Sequence, residues 1–126
     1  MLAPIPQTDN YELAQKLLDA AVVRQQAIAT NIANAETPGF HRLDLDPDFS
    51  RQLQAHVAAG DLATTKLMPA LAEDASVRSV RPDGNTVELD RELVAMDRNA
   101  MDYDYLSEVV TYNLKQLRVA ITGNPQ

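Results

Sequence analysis

The chain has no cysteine and no tryptophan, and aromatic residues make up only 5% of it. Without cysteine there is no disulfide frame, no thiol nucleophile and no thiolate-ligated metal site. No apolar run approaches the roughly 18 residues that a membrane-spanning helix requires. Basic residues are in deficit: 11 Lys and Arg stand against 18 Asp and Glu, for a net charge of -7. That balance disfavours general nucleic-acid binding, which relies on clustered Lys and Arg to meet phosphates. The stretch Met1 to Pro6 has neither the basic nor the apolar region of a Sec-type signal peptide, so any export is expected to take another route.

What is present is 126 residues, near the commonest size of one domain, with 45% hydrophobic side chains. With aromatics so few, the core falls to Leu, Ala, Val and Ile. Ala and Leu are good helix formers, so an α-rich chain is expected.

Four segments separate by composition. Residues 1–8 hold two prolines and read as an unstructured lead. Residues 9–35 read as a helix, with Thr8 or Asp9 as cap and Asp9 with Glu12 as a variant capping box. Leu13, Leu17, Ala20, Ala21, Ile28, Ile32 and Ala35 form its apolar stripe. Thr37-Pro38-Gly39 stops it, since the residue before a proline avoids helix and glycine suits a type II turn.

Residues 86–122 read as a second helix, capped by Asn85 with Glu88 three residues on, and ended by Gly123 and Pro125. Its stripe runs through Leu89, Leu93, Met96, Ala100, Tyr103, Leu106 or Ser107, Val110, Leu114, Leu117 and Ile121. Steps of three and four sustained over more than four heptads point to a coiled coil. The charged residues, Glu92 among them, fall mainly off that stripe and read as a solvated face.

Between the helices, Phe40 to Asp46 alternates as a short extended segment does, and Asp48 to Ala59 has helical spacing at Phe49, Leu53 and Val57. From Asp61 to Pro82 no period is sustained, and Val77 and Val80 are candidates for short β structure. This middle is expected to be an irregular, mobile segment. One chain offers no further layer to cover both helical stripes, and exposed stripes of that size point to self-assembly or a partner.

The chain offers little catalytic chemistry. His41 and His56 stand far from any second histidine, and His56 reads as a surface residue. Asp44, Asp46 and Asp48 imitate the start of a calcium loop, but Phe49 and Ala55 occupy the positions that need Gly and the bidentate Glu. No phosphate-cradling glycine loop occurs. No catalytic, cofactor-binding or metal-ligating residue is therefore assigned, and the chain reads as a non-enzyme.

The most specific local pattern is Asn31-Ile32-Ala33-Asn34-Ala35-Glu36-Thr37-Pro38-Gly39-Phe40. Two asparagines three apart lie on one helical face, and their amides can tie the helix end to the turn or to another chain. The segment resembles the amino-terminal signature of the bacterial flagellar axial family of rod, hook and hook-associated proteins. That signature is an amphipathic helix, Asn-x-x-Asn, a short spacer, and Thr-Pro-Gly before an aromatic. Tyrosine is frequent at the last position, and Phe40 keeps the ring without the hydroxyl. The stretch Asp83 to Glu92, with Met96, Asn99 and Tyr103 beyond, looks like the proximal rod members of that family.

The resemblance implies a mainly α subunit whose two terminal helices pair as a coiled coil around an irregular middle. It implies one assembly domain built from both ends, with residues 1–40, 41–82 and 83–126 as its parts. Such subunits polymerise into the periplasmic rod that carries torque and continues the export channel. Their partners are copies of themselves, other rod proteins, a FliE-type adaptor and the flagellar type III export apparatus, with no cofactor, nucleic acid or membrane span. Leu13, Leu17, Ile28 and Ile32 are then expected in the seam of the first helix, facing Leu89, Leu93, Met96, Tyr103, Val110, Leu114, Leu117 and Ile121 on the second. Asn31, Asn34, Thr37, Pro38, Gly39 and Phe40 would shape the exit from the first helix and contact adjacent subunits. The alternative is a small acidic helical type III secretion chaperone or adaptor.

Overall fold

The computed structural model describes residues 5–123. Its elements are α1 (Ile5–Ala33), β1 (Leu43–Leu45), α2 (Pro47–Ala59), β2 (Leu71–Glu73) and α3 (Leu89–Thr122). The protein is mainly α, as the composition leads one to expect, with a small antiparallel strand pair in its middle. At 29 and 34 residues, α1 and α3 extend for about 44 and 51 Å at 1.5 Å per residue. They run antiparallel: Asn31 near the end of α1 meets Glu92 near the start of α3, and Ala21 meets Asn99.

α1 starts earlier than its polar residues suggest. Proline lacks only an N–H that the first helical turn leaves unbonded, so Pro6 does not block a start at Ile5. Residues 5–8 are thus helical rather than part of a lead, and Asp9 and Glu12 lie inside the helix instead of capping it. The remainder of that lead, and Pro125 at the other end, lie outside the described residues. α1 is buried along two faces. Ala14, Ala21 and Ile28, spaced seven apart, are at most 2% exposed, and Ala35, just past the end of the helix, is 5% exposed. Leu13, Leu17 and Ala20 form the second face and pack with Phe49 and Leu53 of α2 and with Leu45, Leu62 and Leu67. Leu13 and Leu17, expected in the two-helix seam, thus pack with the middle segment.

The middle is ordered around that cluster. Asp46 caps α2 by accepting from the Asp48 N–H at 3.0 Å, Pro47 takes the first helical position, and Gly60 (φ 73°) ends the helix by donating to the His56 carbonyl at 2.9 Å. β1 and β2 pair with Leu43 opposite Glu73 and Leu45 opposite Leu71. The bond from Asp46 N–H to the Ala70 carbonyl and that from Asp74 N–H to the Arg42 carbonyl extend the pairing at its two ends. Val77 and Val80 lie outside both strands, because β1 finds its partner earlier in the chain, at Leu71–Glu73. Among the described residues no helix is long and apolar enough to cross a membrane.

Phe49 is 4% exposed and joins α2 to α1. Phe49→Ala is expected to destabilise the chain by about 3–5 kcal/mol, the usual range for emptying a buried phenylalanine site. Urea denaturation followed by circular dichroism measures this, and a change within error of zero would remove the cluster as the anchor of the middle segment.

Candidate functional site

The elements converge where α1 ends and α3 begins. Asn31 is fully buried, and its amide serves the β1 backbone as a neighbouring strand would: Nδ2 donates to the Leu43 carbonyl at 2.8 Å and Oδ1 accepts from the Leu43 N–H at 2.8 Å. The same Nδ2 reaches Glu92 Oε2 at 3.3 Å. Asn34 folds back instead, donating to the Thr30 carbonyl at 2.8 Å and accepting from the Thr37 hydroxyl at 3.1 Å. Thr37 to Phe40 then turn, with the Phe40 N–H bonded to the Thr37 carbonyl at 3.3 Å and Gly39 at φ 74°. That positive φ at the third turn position belongs to a type II turn, so proline before glycine is the local sequence the geometry needs.

A second asparagine holds this turn from across the chain. Asn85 is fully buried and donates to the carbonyls of Asn34 at 2.9 Å and Thr37 at 2.8 Å, while accepting from the Val87 N–H at 2.7 Å. Around it, Gly39 N–H donates to the Asp83 carbonyl at 2.9 Å, Thr86 N–H to the Phe40 carbonyl at 3.0 Å, and Arg81 to the Ala35 carbonyl. Gly84 (φ 85°) passes so near that a Cβ there would sit 3.4 Å from the Gly39 Cα. Asn85 is thus committed to the turn and does not cap a helix. α3 begins at Leu89, with Glu88 at the cap position making no side-chain cap bond.

Charge gathers beside these amides. The Glu92 carboxylate is fully buried and accepts from Arg42 Nε. Arg42 Nη1 donates to Asp44 at 3.1 Å and to Asp74 at 2.8 Å, and the Arg42 backbone N–H donates to the Thr86 hydroxyl at 2.7 Å. One guanidinium therefore joins α3 to both sides of the strand pair. Burial works against its charge, but hydrogen bonds and attraction from Glu92 and Asp44 prevail and raise its pKa. Burial likewise pushes the Asp74 carboxyl up. Hydrogen bonds from the Ser76 side chain and backbone, with those of Arg42, outweigh it and hold Asp74 below the ordinary value.

Asp44 and Asp46 are accounted for by the ion pair and the cap, and among the described residues no His, Asp and Glu group could hold a metal ion. His56 lies against Asp61 at 2.7 Å and Thr65 at 3.2 Å, where it fastens the loop after α2. His41 is exposed, 3.5 Å from Glu73.

The structure brings Asn34, Thr37, Gly39 and Phe40 together with Asp83 to Thr86, sets Asn31 against Leu43 and Glu92, and leaves Thr37, Pro38 and Gly39 exposed. Ile28 is buried and Ile32 half-buried on α1, and Met96 and Val110 are half-buried on α3. Leu89, Leu93, Tyr103, Leu114, Leu117 and Ile121 are exposed. The buried side chains of α3, among the described residues, are Glu92 and Asn99. Glu92 thus belongs to the seam and not to a solvated face. Asn99 donates to the Ala21 carbonyl at 2.9 Å and to Gln25 Oε1 at 3.2 Å, and accepts from Arg24 at 3.4 Å. Sequence patterning passed over Arg42, Glu92 and Asn99 because it follows apolar residues. The signal available was the seven-residue column Glu92, Asn99, Leu106, Asn113, which is polar at three of four positions.

No protein-family model matches the chain. Individual proteins do. The flagellar basal body rod protein FlgB of Escherichia coli K12 is 30% identical over 128 aligned residues, covering 87% of this chain and 91% of that protein. FlgB of Agrobacterium fabrum is 33% identical, covering 79% and 83% of the two chains, and FlgB of Aeromonas hydrophila is 31% identical, covering 90% and 92%.

Two outcomes follow from the site. Asn31→Ala strands the Leu43 N–H and carbonyl and removes one donor to Glu92, and is expected to cost about 2–3 kcal/mol in chemical denaturation, as for buried polar groups left without partners. A loss below 0.5 kcal/mol, roughly the scale of a surface change, would show those bonds to be dispensable. Asp74 has a folded pKa below its unfolded one, so its stabilisation is present above the ordinary aspartate value of 3.8 and disappears as pH falls through the folded value. Thermal melts in acid should therefore fall less steeply for Asp74→Asn than for the wild type; parallel curves would exclude the linkage.

Proposed function

This chain belongs to the FlgB family of flagellar basal body rod proteins, and we propose that it polymerises through its terminal helices into the proximal part of the rod. Membership makes it a structural protein of the basal body rod. On this reading its neighbours are copies of itself, other rod subunits and a FliE-type adaptor. The assembled shaft crosses the periplasm, carries torque and continues the channel of the flagellar type III apparatus that exports it. Residues 1–40 and 83–126 act as one assembly unit, with the middle attached to it. The relatives' names favour this reading over that of a secretion chaperone.

The observation that carries the proposal is the surface of α3. Leu93, Leu114, Leu117 and Ile121 are 45–75% exposed along one flank. Val94, Met101, Tyr105 and Tyr112, spaced seven, four and seven apart, are 62–71% exposed on another. Beside them, a groove of about 410 Å³ opens between α1 and α3, lined in part by Val22, Met96, Ala100 and Tyr103. One chain covers neither flank, and contiguous apolar surface of this kind marks contact with another protein. Exposed Thr37, Pro38 and Gly39 are available to such neighbours, whereas Asn31 is fully engaged within its own chain.

Leu114 is 47% exposed, so an aspartate there is tolerated by the isolated chain but places a charge in the proposed contact. Leu114→Asp is expected to keep the wild-type circular dichroism while abolishing swimming and incorporation into purified basal bodies. Normal motility with the variant present in the rod would overturn the assembly role of this flank.

A further inference from the structure

The buried positions that α3 contributes to its seam with α1, among the described residues, are polar. Glu92 and Asn99 are 0% and 3% exposed, whereas Leu93 and Tyr103 beside them are 45% and 43% exposed. They stand seven residues apart, on one face and two turns from each other, and each meets a different set of groups. Glu92 meets Asn31 of α1 and Arg42, while Asn99 meets the Ala21 carbonyl, Gln25 and Arg24.

The apolar residues of α3 discriminate less between alignments. Leu93, Met96, Ala100, Tyr103, Val110 and Leu117 recur at steps that sum to heptads, so moving α3 by seven residues along α1 lays apolar side chains on the same face again. The polar pair fails under that move. One direction sets the Glu92 carboxylate against the Ala21 carbonyl. The other sets Asn99 opposite Asn31 and takes Glu92 away from Arg42. Either leaves buried polar groups without partners.

We infer that Glu92 and Asn99 form a register lock, two polar contacts that select one alignment of α3 on α1 from those the apolar pattern permits. A polar residue in the seam of a helix pair fixes register at some expense of stability. The lock acts within a single chain and does not depend on the assembly proposed above.

Because the chain lacks cysteine, two can be introduced at exposed Gln26 and Tyr112 and carry nitroxide labels. Pulsed dipolar spectroscopy on the otherwise native chain should give one distance. In Asn99→Leu, which keeps the side chain's approximate size and removes its polarity, a second population should appear. It should be displaced by about 10 Å, the rise of seven helical residues. Arg42→Met/Glu92→Leu/Asn99→Leu removes both contacts without stranding the guanidinium, and should enlarge that population. A single unshifted distance in the triple variant overturns the inference. So does a loss of helix content in Asn99→Leu by circular dichroism, which would make Asn99 a stabilising contact rather than a selecting one. If the triple variant unfolds, the distances in Asn99→Leu decide the question alone.

Discussion

A carboxylate with no access to water needs fixed partners, and Glu92 sets that requirement for the whole joint. Arg42 meets it with charge and Asn31 with an amide N–H. Neither partner is free to sit elsewhere. Arg42 also spans Asp44 and Asp74 on the two sides of the strand pair, and Asn31 holds both backbone groups of Leu43. Satisfying one buried charge therefore fixes the end of α1, the strand that follows the turn, the segment after β2 and the start of α3 relative to one another. Such clusters seldom exceed well-packed apolar side chains in net stabilisation. Their effect is geometric: alternative arrangements leave a charge or an amide unpaired.

The apolar side chains follow a different plan. Phe49, Leu53 and Leu62 close over Ala20 and one face of α1, which makes the middle segment a packed layer. α3 takes no part in that cluster and leaves much of its apolar surface open. The apolar packing is thus concentrated on the α1 side, and the open apolar surface on the α3 side. In the assembly proposed above, the surface that meets partners is therefore not the surface that holds the chain's own layers together.

Periodicity and stop signals made the helical elements legible. The Thr-Pro-Gly turn, the Pro47 and Gly60 boundaries of α2 and the long stripe of α3 are all written in local sequence. Three features were not. A three-residue strand such as β2 has too little length to show alternation, and it exists because β1 pairs with it. α3 starts at Leu89, later than its cap-like signature at Asn85 predicts, because the Asn85 side chain serves a turn 48 residues away in sequence. Apolar pattern cannot show that Leu13 and Leu17 pack with α2, nor that Glu92 and Asn99 lie inside. Long-range pairing decides each of these, and single-residue propensity does not carry it.

The near-contact of Gly39 with Gly84 has a consequence for the chain between them. Everything from Phe40 to Asp83 is a closed excursion whose two feet touch, bound at the base by backbone bonds from Gly39 to Asp83 and from Thr86 to Phe40. For a loop already closed, each doubling of length adds only about 0.6 kcal/mol of closure entropy. Added length therefore costs little only in stretches of the excursion that touch neither helix, because Arg42 within it neutralises Glu92 of α3 and Phe49 within it covers α1.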